Sequence, residues 1–296
     1  MTRILITGAN GQVGFESQRA LALLGDIVAC HRAQMDLSDP ASVEAALDRF
    51  RPGIIVNPAA YTAVDQAETE PAAAAAINAE APARLAAWAA RHDALLVHYS
   101  TDYVFDGRKA GAYVEDDAAQ PQSVYGQTKW DGEQAIRNSG ARHLILRTSW
   151  VVGAHGNNFL KTVLALAQQR QTLSIVADQI GAPTSAALVA DATAHLLARY
   201  LQSPQAFPYG TYHLTARGET SWYDYARHVV GLAEQAGLRL ALTTDAIQPI
   251  PSSDYPLPAP RPANSRLDCE RLERTFGLLM PHWQAGVDHV FSQLSD

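Results

Sequence analysis

The sequence predicts an α/β fold: a doubly wound parallel sheet with a smaller C-terminal α/β lobe built onto it. Three observations carry that expectation. Short apolar runs alternate with helical stretches through the first 150 residues, at the spacing that parallel crossovers need. A glycine-rich turn, TGANGQVG, follows the first apolar run and leads straight into a helical pattern. After about residue 150 the alternation loosens, and a proline-rich run, PIPSSDYPLPAPRP, occupies residues 249–262.

Each element has a local reason. ILIT (4–7) is a strand, followed by a helix in QVGFESQRALALLG that Gly25 closes. DIVAC (26–30) is a second strand. Asp39 before Pro40 reads as an N-cap with proline in the first turn, opening a helix through Phe50. GIIVN (53–57) follows as a strand, and an Ala-rich helical region at 71–91 is expected to bend at Pro82. ALLVHYS (94–100) and HLILRTS (143–149) are further strands with a helix around Tyr125 between them. Later helices are expected near 157–170, 185–202 and 221–236, with the proline-rich run as a surface loop.

Bulk properties exclude several classes. A net charge of −7 with no basic run argues against nucleic-acid binding. Cys30 and Cys269 are too few for a disulfide framework, which suits a reducing compartment. No stretch reaches 18 apolar residues and the N-terminus lacks a signal-peptide pattern, so a cytoplasmic protein without a membrane span is expected. None of the ten histidines stands in a metal-ligand spacing, so no metal is expected.

Gly8, Gly11 and Gly14 after the first strand suit a tight turn, close approach of a ligand and close helix packing. A pyrophosphate would sit at the helix N-terminus, where amides are unsatisfied and the dipole is positive. Residues 1–150 are thus expected to be mainly an NAD(P)-binding Rossmann domain. Residues 151–296 would be mainly a substrate-binding lobe, with some segments returning to the sheet. The second strand ends Cys30-His31-Arg32 without the acid that binds a free ribose 2′-hydroxyl, and Arg32 suits a 2′-phosphate. NADPH is therefore the expected preference over NADH. Tyr125 and Lys129, in SVYGQTKWDG, are four apart and share a helix face. A neighbouring ammonium is expected to lower the phenol pKa and ready it for proton transfer.

Together, GxxGxxG and YxxxK resemble the extended short-chain dehydrogenase/reductase superfamily. NPAAYTAVDQAE (57–68), YSTDYVFDG (99–107), RTSWVVG (147–153), DQIGAPTS (178–185) and RPANSRLD (261–268) are similar, in order, to the dTDP-4-dehydrorhamnose reductase family. That resemblance implies reduction of the C4 ketone of a dTDP-linked 6-deoxysugar. Tyr125 would be the general acid, Lys129 would grip the nicotinamide ribose, and Thr101 would hydrogen-bond the carbonyl oxygen. Gly11, Gln12 and Val13 would contact the pyrophosphate, with Gly8 and Gly14 shaping the turn. Asp36 and Leu37 would border the adenine, and Ala60, Tyr61 and Thr62 would line the cofactor. Asp102, Tyr103 and Trp150 would meet the sugar, and Arg261 and Arg266 would neutralise the diphosphate.

The dehydratases of the superfamily follow the threonine with Asp-Glu. Here Tyr103 follows Asp102, so dehydration is not expected. Some family members are magnesium-linked dimers held by three surface glutamates. Here Glu16 remains, but Ala187 and Gln293 stand at the other two places, so a monomer or a dimer without magnesium is expected. Two rivals share much of the pattern. One is an epimerase, or a reductase of another dTDP-4-keto-6-deoxysugar. The other is a non-catalytic NADP-binding subunit resembling that of methionine adenosyltransferase.

Overall fold

The computed structural model describes residues 2–295. Six strands form the main sheet: β1 (Arg3–Ile6), β2 (Asp26–Ala29), β3 (Ile54–Asn57), β4 (Leu95–Thr101), β5 (Arg142–Thr148) and β6 (Gly210–His213). Their order is β6-β5-β4-β3-β1-β2, and every neighbouring pair is parallel. The direction of winding reverses between β1 and β3, the place where doubly wound sheets bind ligands at the carboxyl ends of their strands. The expected fold class is found, with β6 supplied from the second half of the chain.

Strand periodicity explains why both faces are covered. Ile4, Ile6, Ile54, Val56, Leu95 and Val97 point to one side, where Leu196 and Leu197 of the helix Ala186–Gln202 cover them. Leu5, Ile55, Leu96 and Ile145 point to the other. There they meet Val43 and Leu47 of α2 (Pro40–Phe50), Leu85 and Trp88 of α3 (Ala81–Arg91) and Ile136 of α4 (Val124–Asn138).

Caps fix several helix starts. Asp39 accepts from Ala41 N–H at 3.0 Å, and Ser123 accepts from Gly126 N–H at 3.1 Å, one turn before the Tyr125 face. The Ala-rich region does break, but before Pro82: a π-turn occupies Ala76–Glu80. Pro82 has no N–H for the Asn78 carbonyl, so the helix loosens one turn earlier than the proline itself.

Residues beyond 150 build a third apolar cluster around Val152, Leu160, Val163, Leu173, Tyr225, Val229 and Trp283. The proline-rich run is not wholly a loop, because Ile247–Ile250 pairs in parallel with Leu173–Val176. Pro249 is tolerated there because the ribbon has only two strands and each leaves one edge unpaired. Among the described residues no helix is long and apolar enough to cross a membrane.

Candidate active site

The first turn shows why its residues are glycines. Gly8 has φ +57°, and a Cβ there would lie 2.9 Å from the Ala59 side chain. A Cβ on Gly14 would lie 2.1 Å from the Gly8 carbonyl oxygen. Helix α1 (Gln12–Ala20) starts at Gly11 with no side-chain cap, so its first-turn amides remain open to an anion. Val13 packs on the core, while Gln12 is drawn sideways to Asn158 Nδ2 at 3.0 Å. Past β2, Arg32 projects outward and pairs with Asp36 at 3.1 Å. Two hydrogen bonds from Ser38, backbone and hydroxyl, hold the Asp36 carboxyl below its usual range. Leu37 is buried in the core.

Ala60, Tyr61 and Thr62 follow β3 at its carboxyl end. Tyr61 is clamped by Asn78, which accepts from its N–H at 2.9 Å and donates to its carbonyl at 3.1 Å. Asn78 also donates to Thr128 on α4 at 3.2 Å. Sequence reasoning missed Asn78. Its one signal is its place in the turn before Pro82, where the helix must loosen.

Thr101 ends β4 and Tyr125 and Lys129 lie on the inner face of α4, so the three meet at the carboxyl edge of the sheet. Tyr125 is half-buried, with its ring edge-on to Tyr103 at 5.3 Å. Its hydroxyl is pushed up to about 12 by desolvation and by the nearby Asp102 charge, against a hydrogen bond with Thr101. This corrects the expectation that Lys129 would lower it. Lys129 is 2% exposed, and the same desolvation pushes its ammonium down to about 8. Its Nζ donates to the Tyr99 carbonyl at 2.6 Å and lies 3.3 Å from His98 Nε2. Thr101 directs its O–H at Asp102 Oδ1, 3.0 Å away, and accepts from Tyr103 N–H.

Asp102 is buried, and burial raises its carboxyl to about 6 despite hydrogen bonds from Ser265 and Thr101. Among the described residues, Asp102 Oδ2 and the hydroxyls of Ser100, Thr148 and Ser149 have no partner of good geometry. Buried polar atoms are usually hydrogen-bonded, so these four are open to a water or a polar ligand.

A cavity of about 710 Å³ opens beside Tyr103 and Trp150, walled by Phe159, Trp222 and the 252–262 segment. Trp150 stands at φ +48° with its indole stacked on Trp222 at 3.7 Å. Only glycine fits at 181, because a Cβ there would meet the Trp150 ring at 2.7 Å. Arg261 also lines this cavity, held by Asp65 at 2.6 Å. Arg266 does not reach it. Its guanidinium is held by Glu219 at 2.9 Å, by Asn264 Oδ1 and by the Ala110 carbonyl, in a separate cavity of about 590 Å³. The turn at Asn264, whose side chain accepts from the Arg266 backbone as well, aims the side chain away from the cleft.

Comparison with known proteins places this geometry. The family model for the RmlD substrate binding domain matches residues 1–295. A dTDP-4-dehydrorhamnose reductase from Salmonella typhimurium is 47% identical over 295 residues, 98% of this chain and 97% of that one. The chain belongs to the dTDP-4-dehydrorhamnose reductase family. Two solved structures of the family superpose closely, each 34% identical to this chain. That of the Clostridium acetobutylicum reductase has a TM-score of 0.89, covering 99% of this chain and 100% of its own. That of the Bacillus anthracis reductase, in complex with NADP, has a TM-score of 0.87 and covers 99% of both.

Proposed function

We propose that this protein reduces the C4 ketone of dTDP-4-dehydro-L-rhamnose to dTDP-L-rhamnose, using NADPH in preference to NADH, in the cytoplasm. The observation that carries the reading is the convergence of Tyr125, Lys129 and Thr101 between an uncapped glycine turn and the Trp150 cavity. The residues present fit a dinucleotide. Gly8, Gly11 and Gly14 leave room for a pyrophosphate against the amides of α1, and Arg32 is exposed where a 2′-phosphate would draw it from Asp36. NADPH, when bound, supplies the hydride.

The protein's own groups do the rest. A Tyr125 hydroxyl raised to about 12 stays protonated across the physiological range and donates its proton to the sugar C4 oxygen. Lys129, as an ammonium, holds the ribose hydroxyls and stabilises the tyrosinate left behind. Thr101 supports the developing negative charge once its O–H turns from Asp102 to the carbonyl oxygen. Asp102 Oδ2 accepts a sugar hydroxyl, and Arg261 exchanges Asp65 for the substrate diphosphate.

The decisive experiment is NADPH oxidation by the purified protein with enzymatically generated dTDP-4-dehydrorhamnose, with NADH in parallel and a chelator in half the samples. Rapid, chelator-resistant oxidation yielding dTDP-rhamnose is expected. Tight NADP binding without oxidation would favour a regulatory subunit instead. Chelator resistance is expected because Ala187 and Gln293 leave Glu16, itself paired with Arg19 at 3.3 Å, as the one carboxylate of three. A monomer, or a dimer without magnesium, fits that arrangement. Gly14→Ala is expected to weaken NADPH binding by about fivefold or more, since displacing the Gly8 carbonyl, part of the turn proposed to hold the pyrophosphate, costs about 1–3 kcal/mol. Titration of NADPH fluorescence measures it, and unchanged affinity would remove the glycine turn from the cofactor site.

A further inference from the structure

A buried line of polar side chains runs beneath the site, from the end of β1 to Lys129. Thr7 is 1% exposed, Asn57 and His98 are fully buried, and they sit on β1's end, β3 and β4. The proton positions along this line follow from its hydrogen bonds. Thr7 Oγ1 accepts from the Ala59 N–H at 3.3 Å, so its own proton is free to donate. The neighbouring Asn57 atom lies 2.6 Å away, a usual separation for O–H···O and short for N–H···O, so it is the amide oxygen. The Asn57 nitrogen then faces His98 Nδ1 at 2.9 Å and donates to it. That leaves the proton of a neutral His98 on Nε2, which is 3.3 Å from Lys129 Nζ.

The consequence is an asymmetric setting for the lysine. An N–H pointing at Nζ needs a lone pair, which the free amine has and the ammonium lacks. We propose that His98, its tautomer fixed by Asn57 and Thr7, is a positioning residue whose N–H adds to burial in disfavouring the Lys129 ammonium and so lowers the upper pH limit of the reduction.

One turn back on the same helix face, Tyr125 stays neutral, its hydroxyl pushed up to about 12. The other groups facing Lys129 are few. From β4 the Tyr99 carbonyl accepts from Nζ in either charge state. On its own helix, Glu133 favours the cation, but its carboxylate is shared with Arg147 of β5 and with Arg137. From the π-turn, Asn78 reaches Thr128 and not Lys129. His98 itself is kept neutral by burial first and by the Lys129 charge second, so it takes up no proton in the working range. The sign follows. A lysine pushed down to about 8 loses its charge as pH rises through that value, and with it the grip on ribose and tyrosinate.

The link to turnover rests on the proposed reductase activity, but the first test needs no turnover. The chain has three lysines, at 109, 129 and 161, so lysine ¹³Cε resonances can be followed through a pH titration and assigned with Lys129→Met. In the native protein the Lys129 midpoint is expected near pH 8. Thr7→Val frees the Asn57 amide to turn, and His98→Gln offers a carbonyl oxygen to the ammonium. Each is expected to raise the midpoint by roughly 0.5–1 pH unit, and to move the alkaline limb of kcat by the same amount. A purely structural role would lower the melting temperature and leave the midpoint in place. Thr7→Val is nearly isosteric and keeps the test alive if His98→Gln fails to fold. Unmoved midpoints in the folded variants would overturn the proposal, as would a shift confined to His98→Gln. Failure of the reductase assay with shifted midpoints would instead count against the assigned reaction alone.

Discussion

Tyr125→Phe is expected to lower turnover with dTDP-4-dehydrorhamnose by about 10²–10⁴-fold, the usual contribution of a general acid. The substitution removes one oxygen and keeps the ring that packs edge-on against Tyr103 at 5.3 Å. The Lys129 bonds to Tyr99 and His98 do not involve the phenol, so the group proposed to grip the cofactor stays in place. NADPH affinity should therefore change by less than a few-fold while kcat collapses. Stopped-flow measurement of NADPH oxidation beside equilibrium binding separates the two. Near-normal turnover would mean that another group, with Asp102 the nearest acid, supplies the proton.

The second large effect is on stability. Glu133 on α4 and Arg147 on β5 form a bidentate pair at 2.9 and 2.8 Å, with 0% and 1% of their side chains exposed. The Arg147 guanidinium also lies 5.0 Å over the Phe105 ring. Replacing Glu133 with Gln leaves Arg147 charged, buried and without a counter-ion. Breaking such a pair from one side costs about 3–5 kcal/mol. Urea unfolding of Glu133→Gln should show that loss in the midpoint with little change in slope. Because Glu133 lies one turn beyond Lys129, the variant should also lose activity beyond its unfolded fraction. A loss under 1 kcal/mol would mean that water or the Glu115 carbonyl, to which Arg147 also donates, already satisfies the guanidinium.

Much of this arrangement was legible in the sequence, for physical reasons that can be named. Alternating apolar runs gave the parallel sheet because strands buried on both faces have few alternatives. Asp39-Pro40 marked the start of α2 to the residue, since a cap and a proline at N1 act locally. Four-residue spacing placed Tyr125 and Lys129 on one helix face. Electrostatics was the weaker reading. A tyrosine beside a lysine suggests a lowered phenol pKa, yet desolvation outweighs the pairing here and raises the one while lowering the other. Burial depends on the whole fold and leaves no local mark. The partners of Lys129 were hidden for the same reason: His98 reads as one residue of an apolar strand, and Asn57 as a strand end. Arg266 shows the opposite failure. Its motif was plain, but the direction of its side chain is set by a turn at Asn264 that a motif does not record.

The Trp150 and Trp222 indoles, stacked at 3.7 Å and only 16° from parallel, have one further consequence. Two identical chromophores so close share their excited states, so their transitions split instead of absorbing independently. Both rings line the cavity proposed for the sugar nucleotide. The site thus carries a built-in optical gauge in the near-ultraviolet, one that responds to the angle between two rings.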